Sequence, residues 1–351
     1  MIQAFVTTAP GEVKCMDLPE PPHKKGNILV KFETGLLGAG TRRAVLGDDA
    51  QVVEGGFKYP FTIGCTAVGT VKDAGGSARM RPGDRVLISN VITCGTCAQC
   101  VSGADNLCKH RKLAGIDYEG TFSEYLSVDE RRAFPLSVGM NSRMAIQATE
   151  VAVLVNALEM GWQATETRHR VTIIGAGNLG IHGVWMAREW GANEIHVVDS
   201  HPGRLDLARA MGAEVTMFPD EYDVWVNANI KERGAGVVLV VTDHPNAISQ
   251  GCRSAVSRGC VVCVGLPEGG VGLITNYYPN LISRELMMRG CYSKTSAQIE
   301  KALRLLDAHG GQDFEDVVDI PISEAGVGKI LEFAYSGPNE QRYMVTNREK
   351  K

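Results

Sequence analysis

Four cysteines have the spacing in this chain that is most informative about chemistry. They follow the pattern C-x2-C-x2-C-x7-C, which lets a short loop place four thiolates around one ion. Four sulfur ligands make a closed tetrahedral zinc site, which stabilises a fold and leaves no position open for a reaction. A disulfide pair is the alternative, but no other feature of the chain suggests secretion. We therefore predict one structural Zn²⁺ per chain, bound by Cys94, Cys97, Cys100 and Cys108.

A glycine-rich loop predicts a nucleotide site. The motif G-x-G-x-x-G follows the apolar run 171–174 and opens the next predicted helix. Its first two glycines permit a tight turn and close approach to a pyrophosphate, and the third lets the helix pack on its strand. The helix amino terminus adds free N–H groups and a positive dipole end. The predicted cofactor-binding residues of this loop are Gly175, Gly177, Asn178, Leu179 and Gly180.

An acidic residue after the next predicted strand indicates which dinucleotide binds. Asp199 lies 24 residues beyond Gly175, directly after the apolar run 194–198. A carboxylate there can accept hydrogen bonds from both ribose hydroxyls of NAD and would repel the 2′-phosphate of NADP. An acidic helix cap is the alternative interpretation, and Arg204 either assists a phosphate, flanks the adenine or faces solvent. The sequence thus predicts NAD(H) as the cofactor.

Two hydrophobic patterns surround these motifs. The first part of the chain predicts strands at 2–6, 28–34, 66–72 and 85–89, separated by Pro- and Gly-rich turns. A helical pattern follows at 145–160, and residues 171–293 alternate six apolar strands with helices, which predicts a parallel sheet covered on both faces. The predicted fold class is α/β, with a β-rich domain (1–149 and 294–351) and a doubly wound parallel sheet of the Rossmann type (150–293).

Composition narrows the class of protein. The chain has 351 residues, 44% of them hydrophobic, and this length and content are enough for two packed domains. Its formal net charge is −4. The acidic balance argues against nucleic acid or an anionic membrane as a partner, and we interpret the basic pair Arg131-Arg132 as a solvated turn. The apolar runs are too short to span a bilayer, and the first residues do not resemble a signal peptide. We expect a cytoplasmic protein that acts on a small-molecule substrate.

These features together resemble the zinc-containing alcohol dehydrogenase family of medium-chain dehydrogenases/reductases. The resemblance covers nearly the whole chain. It implies a GroES-like catalytic domain, an inserted Rossmann domain, a cleft between them, and assembly as a homodimer or homotetramer. It also implies cofactor contacts from Thr242, Gly265 and Leu266. The matching segments are Ile63-Gly64, Val68-Gly69-Thr-Val71, Gly83-Asp84-Arg-Val86, Gly120-Thr-Phe-Ser-Glu-Tyr125 and Val264-Gly265-Leu-Pro267.

The chain departs from the family at its catalytic zinc. The first ligand of the family is the Cys of a G-x-C-G-[ST]-D segment, where this chain has Ala39. The second is the His of G-H-E, where this chain has Cys65, and the acidic residues beside the two ligands have become Arg42 and Thr66. Groups of this kind orient ligands, and a cation beside a divalent metal is unfavourable. We predict that the catalytic zinc is absent.

A rearranged metal site is the alternative. Glu150 matches the third ligand of the polyol-dehydrogenase branch, a glutamate. It would need Cys65 and either Asp48 or Glu54 to complete the site. This set lacks a defined third ligand, so we favour catalysis without the metal.

Without a Lewis acid, side chains must handle the proton as hydride moves. Thr41 matches the hydroxyl that relays protons in the family; a turn residue is the alternative. Cys65 is a general-acid thiol or a residue that lines the cleft, and Glu150 is an acid/base group or a helix cap. Arg42 anchors an anionic substrate group or faces solvent.

Three functions remain open on these residues. The first is an NAD(H)-dependent oxidoreductase that interconverts an alcohol and a carbonyl without catalytic zinc. The second is a zinc-independent, NAD(P)H-dependent reductase of a polarised C=C bond. The third is a non-catalytic nucleotide-binding protein, which the intact phosphate loop, Asp199 and Thr41 argue against.

Overall fold

A computed structural model describes residues 1–22, 24–47, 57–265, 278–309, 317–336 and 342–347. The chain divides into two compact units: unit 1 contains residues 1–149 and 295–351, and unit 2 contains residues 150–294. Lys294 thus falls in unit 2, one residue beyond the expected boundary.

Strands and helices alternate along the described chain. The strands are β1 (Ile2–Ala9), β2 (Glu12–Leu18), β3 (Asn27–Leu36), β4 (Phe61–Thr62), β5 (Ala67–Asp73), β6 (Arg85–Ile88), β7 (Val91–Ile92), β8 (Lys112–Leu113), β9 (Tyr125–Asp129), β10 (Ala133–Pro135), β11 (Arg170–Ile174), β12 (Glu194–Val198), β13 (Val215–Met217), β14 (Ala235–Val240), β15 (Ala255–Cys263), β16 (Met287–Gly290), β17 (Val317–Pro321) and β18 (Arg342–Thr346). The helices are α1 (Ala39–Leu46), α2 (Ala98–Val101), α3 (Ser142–Ala145), α4 (Ala148–Ala164), α5 (Asn178–Glu189), α6 (Pro202–Ala210), α7 (Pro219–Ala228), α8 (Ile230–Arg233), α9 (Ala247–Ser254), α10 (Ser296–His309) and α11 (Glu324–Ser336).

Unit 1 is built mainly on antiparallel β-structure, and its one parallel pair among the described strands is β17 with β18. One sheet has the order β2-β1-β4, and a larger one has the order β10-β6-β5-β3-β18-β17, with β9 also pairing with β3. The four strands expected at the start of the chain are confirmed as β1, β3, β5 and β6. The chain terminus returns to this unit, where Met344 of β18 lies opposite Leu36 of β3. Phe32 and Phe122 pack edge to face in its core, with their ring centroids 6.3 Å apart.

Unit 2 contains the predicted parallel sheet. Its strand order is β13-β12-β11-β14-β15-β16, and every neighbouring pair is parallel. All six residues of β14 are buried, as expected for a strand covered on both faces. This order is that of the doubly wound Rossmann fold, which binds nucleotides where the strand order reverses. The expected fold class is confirmed.

Two element boundaries differ from the prediction. The helix expected at 145–160 is two helices, α3 and α4, with a turn between them. The strand expected at 260–265 already begins at Ala255, which has extended backbone angles and ends α9. Arg258 then takes a positive φ of 59°, and the pairing of β15 with β14 shifts register nearby. Apolar periodicity does not report such an irregular strand start.

No helix among the described residues is both long enough and apolar enough to cross a lipid bilayer.

Candidate functional site

The four cysteines of the predicted zinc lobe come together. Their Sγ atoms all lie within 4.8 Å of one another, and they are the only such group of metal-ligating side chains among the residues that the structure describes. The Sγ atom of Cys94 is 3.6 Å from that of Cys108 and 3.9 Å from that of Cys100. Four sulfurs about 2.3 Å from a tetrahedral zinc are about 3.8 Å apart, so the cluster fits this metal.

Backbone groups prepare one of these sulfurs for a cation. Hydrogen bonds from the backbone N–H groups of Thr96 and Cys97 lower the pKa of Cys94 to about 5. Burial raises the pKa of Cys100 to about 12, so zinc has to displace the proton of that thiol. The thiolate is the form that binds metal, so zinc binding to the lobe is coupled to proton release. The lobe is also tied to α10, because the Ser296 hydroxyl donates to the Asp105 carboxylate at 2.6 Å. Zinc bound here has four protein ligands and a structural role.

The glycine loop has the geometry of a phosphate site. Gly175 follows β11 with a φ of +102°, a conformation that favours glycine, and Gly177 caps the amino terminus of α5. A Cβ on Gly180 would overlap the carbonyl oxygen of Gly175, which explains the third glycine of the motif. A Cβ on Gly177 would meet nothing within 4 Å. The loop therefore leaves room for a pyrophosphate at the start of the helix that contains Asn178 and Leu179.

Two further predicted cofactor residues adjoin this loop. A Cβ on Gly175 would lie 2.9 Å from the Cβ of Thr242, and one on Gly265 would overlap the Thr242 carbonyl. The carboxyl ends of β11, β14 and β15 therefore meet beside the loop, where a doubly wound sheet binds its ligand. Leu266 lies outside the described residues.

Asp199 supports the glycine loop. It is only 8% exposed, and its Oδ2 atom accepts a hydrogen bond from the Ala176 N–H at 2.7 Å. Its Oδ1 atom accepts one from the His201 N–H at 2.8 Å, and Arg204 Nη1 lies 3.8 Å from Oδ2. A carboxylate has about four acceptor positions, so ribose hydroxyls can still bind. The link to Ala176 has no signal in the sequence.

The two segments that replace the zinc ligands converge in unit 1. Helix α1 begins at Ala39, and the Cβ position of Gly40 lies 3.2 Å from the Cys65 sulfur. Thr41 is 1% exposed, and its Oγ1 atom has no hydrogen-bond partner among the described residues. Thr66 is buried, and its carbonyl accepts from the Thr121 hydroxyl at 3.0 Å.

Arg42 points toward another part of unit 1. Its Nε atom donates to the carbonyl oxygen of Ala334 at 2.9 Å, in the last turn of α11. The Arg42 guanidinium donates to a carbonyl that has no hydrogen bond within the helix, and the negative end of the helix dipole stabilises its positive charge. The structure therefore gives Arg42 a hydrogen bond within unit 1. The sequence had left open two other roles, an anchor for an anionic substrate group and a side chain that faces solvent.

Glu150 lies in unit 2 beside a histidine that the sequence analysis did not consider. Its Oε2 atom is 3.8 Å from Nε2 of His182, which is fully buried on α5. The Trp185 indole, a donor only, bonds Nδ1 of His182 at 3.4 Å, which places the proton of the neutral ring on Nε2, toward Glu150. Asp48 and Glu54 lie outside the described residues. A histidine inside an apolar helix pattern carries no sequence signal for such a contact.

The sequence predicts that both arginines of the pair Arg131-Arg132 lie in a solvated turn, and the structure agrees for only one of them. The Arg131 side chain is 53% exposed, as expected for a solvated turn. Arg132 is only 4% exposed, so the interpretation is wrong for this residue. Its guanidinium packs over the ring of Tyr118, 5.1 Å from the centroid, and an aromatic partner removes it from water.

The parallel sheet with its glycine loop and acid, joined to a β-rich unit with a four-sulfur lobe, defines a nicotinamide-dependent dehydrogenase. Residues 40–138 match the alcohol dehydrogenase GroES-like domain, and residues 179–308 match the zinc-binding dehydrogenase domain. The chain is 31% identical over 280 residues to the L-threonine 3-dehydrogenase of Symbiobacterium thermophilum, covering 78% of this chain and 77% of that protein. That of Bacillus velezensis is 29% identical over 256 residues, 72% of each chain. Galactitol-1-phosphate dehydrogenase from Escherichia coli shares the fold, with a TM-score of 0.86 and 20% identity over 98% of this chain and 99% of its own.

The chain belongs to the zinc-containing alcohol dehydrogenase family of medium-chain dehydrogenases/reductases. It is an enzyme that interconverts alcohols and carbonyls. The family confirms the prediction of a nicotinamide cofactor and a zinc lobe.

Proposed function

We propose that the protein is an NAD(H)-dependent dehydrogenase of a small or medium-sized organic alcohol, which works without a catalytic zinc and moves the proton through Thr41. The observation that carries the proposal is the buried Thr41 hydroxyl, which has no hydrogen-bond partner among the described residues. Burying a polar atom without a partner costs about 1–3 kcal/mol, so such an atom calls for an explanation. A substrate oxygen that binds there supplies one.

The residues around Thr41 support chemistry without a metal. Ala39 has no ligand atom, and Cys65, whose sulfur lies beside Gly40, stands where the family has an imidazole. The hydroxyl of Thr41 both donates and accepts, so it can take the proton of an alcohol and pass it on. Such a positioned group is typically worth about 10²–10⁴-fold in rate.

Unit 2 supplies the cofactor site of the proposal. The loop from Gly175 to Gly180 would hold the pyrophosphate at the amino terminus of α5, and Asp199 would accept hydrogen bonds from the ribose hydroxyls. The cofactor held there would supply the hydride acceptor for the alcohol carbon. Glu150, which the His182 N–H faces at 3.8 Å, is kept as an acid/base candidate at the start of this unit.

A secondary alcohol is the substrate class that we propose. The curated relatives are L-threonine 3-dehydrogenases, and carbon 3 of threonine carries a secondary hydroxyl. By analogy with the family, we also propose a cytoplasmic homodimer or homotetramer. Light scattering of the purified protein would measure its oligomeric state.

The test is a panel of secondary alcohols and ketones against enones, followed by nicotinamide absorbance at fixed structural zinc content. Thr41→Val should lower turnover with the best alcohol by about 10²–10⁴-fold and leave NADH affinity nearly unchanged. Thr41→Ser keeps the hydroxyl and serves as the matched control. Activity that needs added metal, or that is unchanged in Thr41→Val, would overturn the mechanism, and turnover confined to enones would favour C=C reduction.

A further inference from the structure

A histidine lies at the centre of a buried hydrogen-bond network in unit 2. His196, in the middle of β12, is fully buried, and its Nε2 atom lies 2.7 Å from Oε1 of Glu194. Its Nδ1 atom lies 2.9 Å from the hydroxyl oxygen of Tyr222 on α7, which lies 2.9 Å from Oγ1 of Thr172 on β11. The network thus joins one helix to two neighbouring strands of the parallel sheet.

These partners fix the neutral histidine in one form. A carboxylate only accepts hydrogen bonds, so Nε2 carries the proton and donates to Glu194, and Nδ1 is left as an acceptor. Burial raises the pKa of the Tyr222 phenol, which therefore keeps its proton and donates a hydrogen bond to Nδ1. The Thr172 hydroxyl donates to Tyr222 in turn. Every polar hydrogen of these four side chains therefore has an acceptor.

A second proton on the ring would disrupt this arrangement. With Nδ1 protonated, the Tyr222 hydroxyl has to accept from the ring and turn its own hydrogen toward Thr172. The Thr172 hydroxyl would then need another acceptor, and Tyr222 is its only hydrogen-bond partner among the described residues. A buried donor without an acceptor is costly, and so is a buried charge. The closed network therefore disfavours a protonated histidine.

The charges that face His196 do not offset its burial. Burial lowers the pKa of His196 more than the carboxylates of Glu194 and Glu214 raise it, and the cation of Arg170 opposes protonation as well. Glu194 is paired with Arg170 at the start of β11. Against the effect of burial, hydrogen bonds from Arg170 and His196 lower the pKa of Glu194, so this carboxylate stays ionised in weak acid.

Helices α7 and α8 supply the other neighbours of the ring. Tyr222 and Trp225 lie on one face of α7, and their ring centroids are 5.7 Å and 5.3 Å from that of His196. Arg233 of α8 places its guanidinium 4.8 Å from the centroid of Trp225. Asp223, the acid beside Tyr222, pairs with a side chain of α9. In the described part of the chain, the groups that these helices place against the ring therefore do not balance a charged histidine.

Helix α7 and β13 form the edge of the sheet beside the predicted ribose residue. β13 is the outermost strand next to β12, and all three of its residues are only half-buried. The Met217 carbonyl at its end accepts from the Asp199 N–H at 3.4 Å, and α7 begins shortly afterwards at Pro219. Release of α7 would therefore loosen the strand that adjoins Asp199.

We propose that His196, Tyr222 and Thr172 form a latch that holds α7 and β13 on the sheet while the histidine is neutral, and that weak acid opens it. In the open state the ring meets water and takes a proton at its ordinary pKa of about 6.5. In the closed state the pKa is lower, so the latch is complete above about pH 6.5 and weakens as the pH falls. The open population should rise by up to about tenfold between about pH 7.5 and about pH 5.5. The inference goes beyond the proposed reaction and needs no substrate.

Hydrogen exchange followed by mass spectrometry tests the latch. The full-length, zinc-loaded protein is compared at about pH 7.5 and about pH 5.5, and rates are corrected for the intrinsic pH dependence of amide exchange. Peptides of α7 and β13 should exchange at least about tenfold faster than those of β14, whose residues are all buried, and should open up to about tenfold more often in acid. Equal rates in α7 and β14 would mean that the edge opens only when the whole unit unfolds, and would overturn the latch.

Variants separate the histidine from general effects of acid. His196→Gln keeps a donor for Glu194 but takes up no proton, so the acid-induced increase in α7 should shrink to less than about twofold. His169→Gln removes an exposed histidine just before β11 and should keep the full increase. If His196→Gln does not fold, Tyr222→Phe decides: it removes both hydrogen bonds of the hydroxyl, so α7 should open at least about fivefold more often at about pH 7.5. An unchanged acid response in His196→Gln, or unchanged opening in Tyr222→Phe, would overturn the proposal.

A ligand tests whether the open edge reaches the cofactor site. ADP-ribose contains the ribose that Asp199 is predicted to bind, so it should favour the closed latch. At about 100 times its Kd, it should slow the exchange of α7 and β13 by up to about 100-fold. Binding of ADP-ribose without slower exchange would overturn the link between the latch and Asp199.

Discussion

On the proposed function, Asp199 has two roles that substitution can separate. The first is local: its carboxylate accepts the N–H of Ala176, which is almost completely buried, and that of His201. Asp199→Ala leaves the Ala176 N–H without an acceptor, at a cost of about 1–3 kcal/mol to the loop. The second is recognition of the ribose, where hydrogen bonds to a charged group contribute about 1.5–3 kcal/mol. Loss of the ribose bonds alone weakens NADH binding about 10–150-fold.

NADPH should respond in the opposite direction. Its 2′-phosphate would lie beside the carboxylate, and two unit charges 4 Å apart repel by about 4 kcal/mol near a protein surface. Removing Asp199 relieves this repulsion and frees Arg204, now 3.8 Å from the carboxylate, to pair with the phosphate. The ratio of the two affinities should therefore move toward NADPH by about 10²-fold or more.

Asp199→Asn is the control that distinguishes the two functions. Its amide oxygen can still accept from Ala176, so its melting temperature should stay near that of the wild type, whereas that of Asp199→Ala should fall. Both variants lose the charge, so both should lose the preference for NADH in fluorescence titrations of the two cofactors. Tighter binding of NADPH than NADH by the wild type, or an unchanged ratio in both variants, would refute the assignment.

Two other substitutions test the remaining site residues. Cys97→Ser should reduce the zinc content, measured by elemental analysis, from one per chain to a small fraction and should lower the melting temperature. The control Cys15→Ser should do neither. Two tightly bound zinc ions per chain in the wild type would contradict the predicted loss of the catalytic metal. Arg42→Ala should lower the free energy of unfolding by about 0.5–1.5 kcal/mol in a denaturant titration, because it removes the hydrogen bond to Ala334. It should raise KM only for anionic substrates. The same loss of stability in Arg43→Ala would count against a specific role of Arg42.

The nucleotide half of the enzyme could be predicted because its signals are local. A strand, a glycine turn and a helix follow one another within residues 170–189, and each leaves its own pattern of apolar residues and glycines. The acid at position 199 follows the next strand of the same motif. The hydrogen bond that the Ala176 N–H donates to Asp199 was not predictable, because nearly every residue type has a backbone N–H group and the sequence does not distinguish one from another.

The catalytic half was predictable only in part. Motif matching identified the segments around Thr41 and Cys65, and the structure brings them together beside Gly40. Contacts made across long separations left no periodic signal. Arg132 donates to the Ser89 carbonyl 43 residues away, whereas its neighbour Arg131 is a solvated cation. Two adjacent arginines with opposite burial cannot be distinguished by charge pattern alone.

On the proposed function, the substitutions at the catalytic-zinc positions of the family form a set. A divalent metal stabilises an alkoxide by its charge, so removing its ligands leaves a reaction that needs another way to handle the proton. A carboxylate beside Cys65 would have no metal ion to balance its charge, and the chain has Thr66 at that position, with its backbone bonded to Thr121. On the proposed mechanism, ligand loss and the neutral Thr66 are consequences of one change, from metal to side-chain proton transfer.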